Sequence, residues 1–187
     1  MQQVISLLVE NKPGALMRIV GLISARGWNI DSLTVAKTLD TSLSRMTIAV
    51  AVDDHMRRQV IKQMNKLINV LQATDLSEGP SVTREMVLMR VRAPQESRTA
   101  ILKEAEIFGA RVVDSSVEGF ALEATGETEK LDEFADIMRS YGEIEITRSG
   151  AVTLSLEAKK LRLSPPVTKG AQVHETDAQE KLVHKTN

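Results

Sequence analysis

The sequence contains no cysteine. That excludes disulfides, thiolate-ligated metals and cysteine nucleophiles, and it fits a reducing compartment. Aromatic residues make up only 3% of the chain: one tryptophan, one tyrosine and three phenylalanines. Its cores must therefore be aliphatic, and there is too little aromatic surface for a platform on which bases could stack. An excess of one charge is missing as well. Basic and acidic residues number 24 and 25, leave a net charge of -1, and are mixed along the chain. With no Lys/Arg block to track a phosphate backbone, nucleic acid is not expected as a partner. No apolar run approaches the ~20 residues that span a bilayer. The N-terminus passes directly into Val4-Ile5-Ser6-Leu7-Leu8-Val9 without a basic segment or cleavage pattern. The expectation is a cytoplasmic protein with no membrane partner.

Catalytic equipment is equally sparse. Of the three histidines, His55 stands just inside a helix start, and His174 and His184 lie near the C-terminus. None has a histidine four residues away or a cysteine partner, so no metal site is expected. The nucleophile elbow, the P-loop and the dinucleotide-binding glycine pattern are all missing. Asp53 and Asp54 are adjacent and read as a helix cap rather than as a general acid and base. No catalytic residues are assigned, and the chain is not expected to be an enzyme on its own.

What the sequence does have is periodicity, with 42% hydrophobic residues in 187, enough for two small domains. Gln3–Glu10 is apolar and β-branched and reads as a strand buried on both faces. Leu16, Ile19, Val20 and Ile23 follow at helical spacing, with Arg26 in the last turn and Gly27 at the position just past the helix. Asn29–Thr38 and Ser44–Val52 are two further strands around a turn at Leu39–Leu43. Val60, Ile61, Met64, Leu67 and Ile68 line one helix face, and Val70–Leu76 is a fourth strand. The order βαββαβ then repeats. A strand at Arg84–Ala93 leads through Pro94 into a helix striped by Ile101, Leu102, Ala105 and Phe108 and stopped by Gly109. Strands at Ala110–Ser116 and Phe120–Thr125 follow. A helix carrying Leu131, Phe134, Ala135 and Met138 then ends at Gly142, before a last strand at Glu143–Arg148 and an apolar patch at Ala151–Leu156. The fold class is α+β: tandem ferredoxin-like βαββαβ domains over residues 2–79 and 83–158, each with both helices on one face of an antiparallel sheet. The other face and the edges require a cover, so pairing with a second copy is expected. Residues 164–187 are polar, contain Pro165-Pro166 and lack periodicity, as expected of a disordered tail.

One turn stands out. In Asn11-Lys12-Pro13-Gly14-Ala15-Leu16, Pro13 presets the backbone and Gly14 permits close approach. The N–H groups of Gly14, Ala15 and Leu16 open a helix, which makes an anion site for a carboxylate. The same residues also suffice as a plain strand-to-helix turn. Asn29, which follows Trp28 and is expected near the same end of the sheet, can accept from an ammonium and donate to a carboxylate.

Two segments carry a resemblance: Leu8-Val9-Glu10-Asn11-Lys12-Pro13-Gly14-Ala15-Leu16 and Arg26-Gly27-Trp28-Asn29-Ile30-Asp31-Ser32-Leu33-Thr34-Val35-Ala36. With Leu43-Ser44-Arg45-Met46-Thr47-Ile48, Ile68-Asn69-Val70-Leu71, Arg84-Glu85 and Arg148-Ser149-Gly150, they resemble the acetolactate synthase (acetohydroxyacid synthase) small-subunit family over roughly residues 2–158. The resemblance implies an N-terminal ACT domain and a C-terminal ACT-like domain, and a homodimer through the ACT domain with an eight-stranded sheet. It further implies a regulatory partner of the catalytic large subunit, which it activates and makes sensitive to the amino-acid effector valine. Thiamine diphosphate, magnesium and FAD are then expected in that partner and no cofactor in this chain. The effector residues implied are Asn11, Gly14, Ala15 and Leu16 on the carboxylate side, Asn29 and Ile30 across the interface, and Ala36 close by. Lys12 and Pro13 contribute shape. An amino-acid-sensing regulator of another pathway, or of transcription, is the alternative.

Overall fold

In the computed structural model of the chain, residues 2–157 are described. The expected tail at 164–187 lies outside them. Strands β1 (Gln2–Glu10), β2 (Asn29–Lys37), β3 (Leu43–Ala51) and β4 (Val70–Asp75) alternate with helices α1 (Ala15–Ala25) and α2 (Asp54–Met64). They form an antiparallel sheet in the order β2-β3-β1-β4. The second unit repeats this plan with β5 (Ser81–Arg92), α3 (Arg98–Ile107), β6 (Arg111–Ser116), β7 (Gly119–Gly126), α4 (Thr128–Tyr141) and β8 (Glu143–Arg148), in the order β6-β7-β5-β8. The tandem ferredoxin-like plan read from periodicity is the fold observed.

Period-two alternation decides which side of each sheet is buried. Ile5, Leu7 and Val9 on β1 and Met46, Ile48 and Val50 on β3 face the helices, where Ile19, Ile23, Val60 and Met64 complete an aliphatic core. In the second unit Val87, Met89 and Val91 meet Phe120, Leu122, Ile101, Phe134 and Met138. Each such side chain contributes about 1.5–3 kcal/mol when fully buried. On the sheet's other side Ser6 of β1 and Thr47 and Ala49 of β3 are buried, but Val4 and Leu8 are only half-buried, so the strand expected to be buried on both faces is covered in part on this one.

Both first helices of the units stop in the same way. Gly27 and Gly109 take left-handed φ values of 67°. The N–H of Trp28 donates to the Ile23 carbonyl and that of Ala110 to the Ala105 carbonyl. These are Schellman closures, in which a glycine turns the last N–H groups back onto the helix.

Several expectations need correction. The helical stripe keeps Ile19 and Ile23 but begins at Ala15: the buried face of α1 is Ala15, Ile19 and Ile23, and Leu16 is exposed. Asp53 occupies the cap position of α2, but its side chain makes no capping hydrogen bond. Its backbone carbonyl instead accepts from Met56. Pro94 is extended and precedes a short 3-10 turn, Gln95–Ser97, rather than sitting within the first turn of α3. Strand β5 begins at Ser81, earlier than Arg84, because it has an unanticipated partner there. The patch at Ala151–Leu156 is a ninth strand, β9 (Val152–Ser155), whose Val152 pairs with Arg84 and whose Ser155 pairs with Ser81. Between β8 and β9 one extra residue is inserted opposite β5, since Arg148 pairs with Val87 and Val152 with Arg84. Gly150 takes φ 78° in this bulge. It lies against β2, where a Cβ would stand 3.0 Å from Thr34 Oγ1. Thr34 Oγ1 donates to the Ser149 carbonyl (3.2 Å), and the Ala151 N–H donates to Ser32 Oγ (3.3 Å). The bulge thus joins the second unit to the first.

Candidate functional site

The turn after β1 is tied down by its own polar groups. The Asn11 N–H donates to the Ser42 carbonyl at 2.7 Å, and Asn11 Nδ2 donates to the Thr41 carbonyl at 2.8 Å. Asn11 therefore fastens the turn to the β2–β3 hairpin. The Ala15 N–H, expected to be free, donates to the Lys12 carbonyl at 3.2 Å. Among the described residues, the N–H groups of Gly14, Leu16 and Met17 have no backbone acceptor. No acidic residue lies in the first turn of α1 to neutralise its positive end. Gly14 has φ 81°, and nothing lies within 4 Å of where its Cβ would be. The helix start is an open donor cluster, suited to a carboxylate that arrives from outside.

Beneath it lies a polar knot that sequence reasoning missed. Glu10 receives Lys12 Nζ at 3.0 Å and Asn69 Nδ2 at 2.7 Å. The buried Asn69 also accepts from Arg18 of α1, and its backbone carbonyl accepts the Glu10 N–H at 2.9 Å. The hydrogen bond from Lys12, then that from Asn69, holds the Glu10 carboxyl below its ordinary range. One asparagine thereby links β1, β4 and α1. The signal available in the sequence was Asn69 opening a strand directly after an apolar helix face.

The remaining assigned residues are spread along β2. Asn29 pairs in register with Ala51, which also pairs with Gln2. At the other end Glu10 pairs with Leu43, and Lys37 with Ser44. Asn29 therefore lies at the opposite end of the sheet from the turn, about 25 Å away at the usual strand rise. The expectation of a shared end was wrong because α1 returns the chain to the start of β1 before β2 begins. Ala36, paired with Arg45, is exposed at the turn's end of the sheet. Asn29 Nδ2 donates to Asp31 Oδ1 at 2.9 Å. Ile30 packs against the helix-face core. Within one chain, then, Asn11, Gly14, Ala15, Leu16 and Ala36 gather at one end, and Asn29 and Ile30 stand at the other.

The described residues include no group of three or more His, Asp or Glu side chains arranged to hold a metal, and no helix long and apolar enough to cross a membrane. Strand β2 is the outer strand of its sheet. Its burial falls away toward Lys37, so the edge beside the turn is open.

Comparison with known proteins places this arrangement. Residues 5–72 match the family model for the AHAS small subunit-like ACT domain, and residues 84–157 match that for the small subunit of acetolactate synthase. The acetolactate synthase small subunit of Mycolicibacterium smegmatis is 46% identical over 151 residues, covering 81% of this chain and 89% of the relative. The acetolactate synthase isozyme 3 small subunit of Escherichia coli is 40% identical over 163 residues, covering 87% of this chain and all of the relative. The crystal structure of the small subunit from Thermotoga maritima superposes with a TM-score of 0.74 at 37% identity, over 82% of this chain and 96% of that one. With both units matched and relatives covered nearly end to end, the chain belongs to the acetolactate synthase small-subunit family, the regulatory rather than the catalytic component of that enzyme.

Proposed function

We propose that the chain activates the thiamine-diphosphate-dependent catalytic subunit of acetolactate synthase in branched-chain amino-acid biosynthesis, and imposes feedback inhibition by valine bound between two ACT domains. The observation that carries this reading is the separation of the assigned residues along an exposed edge. Asn29 lies at one end of β2, and the open N-terminus of α1 lies at the other. Pairing two β2 edges antiparallel about a two-fold near Leu33 sets Asn29 of one copy opposite Lys37 of the other. That brings the second copy's Asn29 to the end of the sheet where Gly14, Leu16 and Ala36 stand. Such pairing also removes the hazard of an unpaired edge, and its symmetry creates two identical sites at once.

The chemistry is complementary to an α-amino acid. The Gly14 and Leu16 N–H groups take the carboxylate, while the Oδ1 of the second copy's Asn29 accepts from the ammonium. Ile30 adds apolar surface at that end of the partner strand, and Ala36 leaves room for a branched side chain. Valine acts by binding one packing of the two ACT domains better than the other. A coupling of about 1–3 kcal/mol is enough to shift the partner's activity by one to two orders of magnitude.

The test is Gly14→Asp in the complex reconstituted with the catalytic subunit. The space beside Gly14 is open, so the fold bears only left-handed strain of about 1–2 kcal/mol. The added carboxylate, however, stands where the ligand's must sit. Activation of the catalytic subunit is expected to persist while valine inhibition disappears. Inhibition at unchanged valine concentrations would falsify the assignment.

A further inference from the structure

Exposed aliphatic side chains are not spread evenly over the first unit. Among the described residues, its exposed large hydrophobics are Leu16, Met17, Val35, Leu39 and Ile68, all toward the end of the sheet that carries the Gly14 turn. At the Asn29 end the loops bury theirs: Val52 and Leu76 are 6% exposed, and Trp28 packs against the core. Three loops meet at the turn's end, and each offers a side chain to solvent. Met17 comes from the start of α1 (73% exposed), Ile68 from the α2–β4 loop (74%), and Leu39, fully exposed, from the β2–β3 hairpin. With Leu16 they present on the order of 400 Å², the scale at which an apolar patch on a soluble protein marks a contact surface. Polar groups hold the three loops as one. Asn11 fastens the turn to the hairpin, and Asn69 fastens β1 and α1 to the loop that carries Ile68. Asp40 braces the hairpin tip itself, its carboxylate accepting the Ser42 N–H and its carbonyl the Leu43 N–H, both at 2.9 Å. Side chains presented on braced loops lose little freedom when a partner covers them.

We infer that this three-loop end of the ACT domain is the surface that docks the catalytic subunit. Two observations select that occupant over a second copy of the chain. The first is charge. Exposed Lys12, Lys37 and Lys66 rim the patch, against one exposed carboxylate, Asp40. Two such positive ends repel each other, whereas an apolar pocket with an acidic rim on a different protein fits. The second is position. Pairing of β2 edges about a two-fold, the reading on which this step rests, sends the two loop ends to opposite ends of the eight-stranded sheet. They cannot cover one another, and one dimer holds out two docking ends. Leu16 and Met17 also belong to the helix turn whose open N–H groups are proposed to take the valine carboxylate. Valine that shifts the packing of the two ACT domains therefore moves the docking ends themselves. The signal need not cross the second unit.

The test uses the full chain reconstituted with the catalytic subunit. Leu39→Asp and Ile68→Asp place charges at exposed positions, so the fold should persist in circular dichroism. Each should raise the concentration of chain that gives half-maximal activation by about tenfold or more. Val117→Asp is the control, 97% exposed at the tip of the corresponding β6–β7 hairpin of the second unit. It should shift that concentration by about twofold or less. Sedimentation should show the same dimer in every variant. An unchanged half-maximal concentration in both Leu39→Asp and Ile68→Asp overturns the inference. So does weakened dimerisation in either variant, which assigns the surface to a second copy. An equal loss in Val117→Asp also overturns it, since the effect then does not belong to this end. Calorimetry with valine separates this inference from the effector site. Valine binding by the parent chain, with activation unaffected in the variants, removes the docking surface alone. Weakened activation in the variants, with no valine binding by the parent chain, removes the effector site alone.

Discussion

The two units share one topology and differ at the start of their first helix. In the N-terminal unit Gly14 leads straight into α1, leaving N–H groups without acceptors in an acid-free first turn. In the C-terminal unit the corresponding stretch passes through Pro94 and a 3-10 turn that contains Glu96. Arg98 then lies 4.2 Å over the Phe120 ring and donates to the Ser116 carbonyl at 2.7 Å and to Ser115 Oγ at 3.2 Å. A positive helix end is usable only if the chain has not already filled it. The first unit leaves it open, whereas in the second the 3-10 turn takes up N–H groups at the helix entry, Ser97 donating to the Pro94 carbonyl and Arg98 to that of Gln95. The ligand recognition proposed for the first unit therefore rests on a few residues at one turn rather than on the βαββαβ plan that both units share.

The largest effects test whether the units are independent in stability. Phe134 is fully buried in the second core, its ring centroid 5.2 Å from that of Phe108 with the planes tilted by 36°. Phe134→Ala is expected to lower unfolding free energy by about 3–5 kcal/mol in denaturant titration. If the bulge contacts with β2 couple the units, both will unfold in one shifted transition; two transitions would show that they do not. Glycines sharpen the contrast next. A Cβ at Gly119 would stand 1.9 Å from the Val91 carbonyl oxygen, whereas one at Gly14 meets nothing. Gly119→Ala should cost about 3 kcal/mol by overpacking, and Gly14→Ala about 1–2 kcal/mol from backbone strain alone. Comparable melting points for the two variants would contradict the geometry.

A smaller effect addresses the knot under the Gly14 turn. Asn69→Ala leaves Glu10 and Arg18 without their bridge and should cost about 1–3 kcal/mol. It should also weaken valine inhibition, whereas Arg98→Ala in the other unit should not. The smallest effect concerns pH. Glu10's carboxyl is held below its ordinary value of 4.5. Its contribution to stability is present above that value and is lost as the pH falls through the lower, folded one. Glu10→Gln should therefore flatten the fall in melting temperature on acidification from about pH 6 to about pH 3. A variant as acid-sensitive as the parent would remove Glu10 from the account.

Much of the fold was legible because alternation and helical spacing report burial directly. Ile5, Leu7 and Val9 on β1, the stripe Ile19 and Ile23, and the stop at Gly27 could be read without coordinates. The errors lie where burial and composition diverge. Leu16 fits the helical stripe by type, but Ala15, four residues before Ile19, occupies the buried position in the first turn. Strand β9 read only as an apolar patch, since its aliphatic residues face outward and its small polar ones inward, opposite to the usual assignment. The Asn69 bridge joins residues 59 and 51 positions apart, a separation no local pattern records.

The open turn at Gly14 and the family it belongs to were set by local residue order. Pro13 fixes its own φ, Gly14 is free to take the left-handed φ that the turn needs, and the first N–H groups of a helix have no partner within it. The tertiary structure alone decided that Asn29 lies at the far end of β2, since only the return of α1 fixes which end of the sheet a strand starts from. It also decided that the bulge at Gly150 fastens the second unit to that same strand. Both facts depend on contacts between segments distant in sequence.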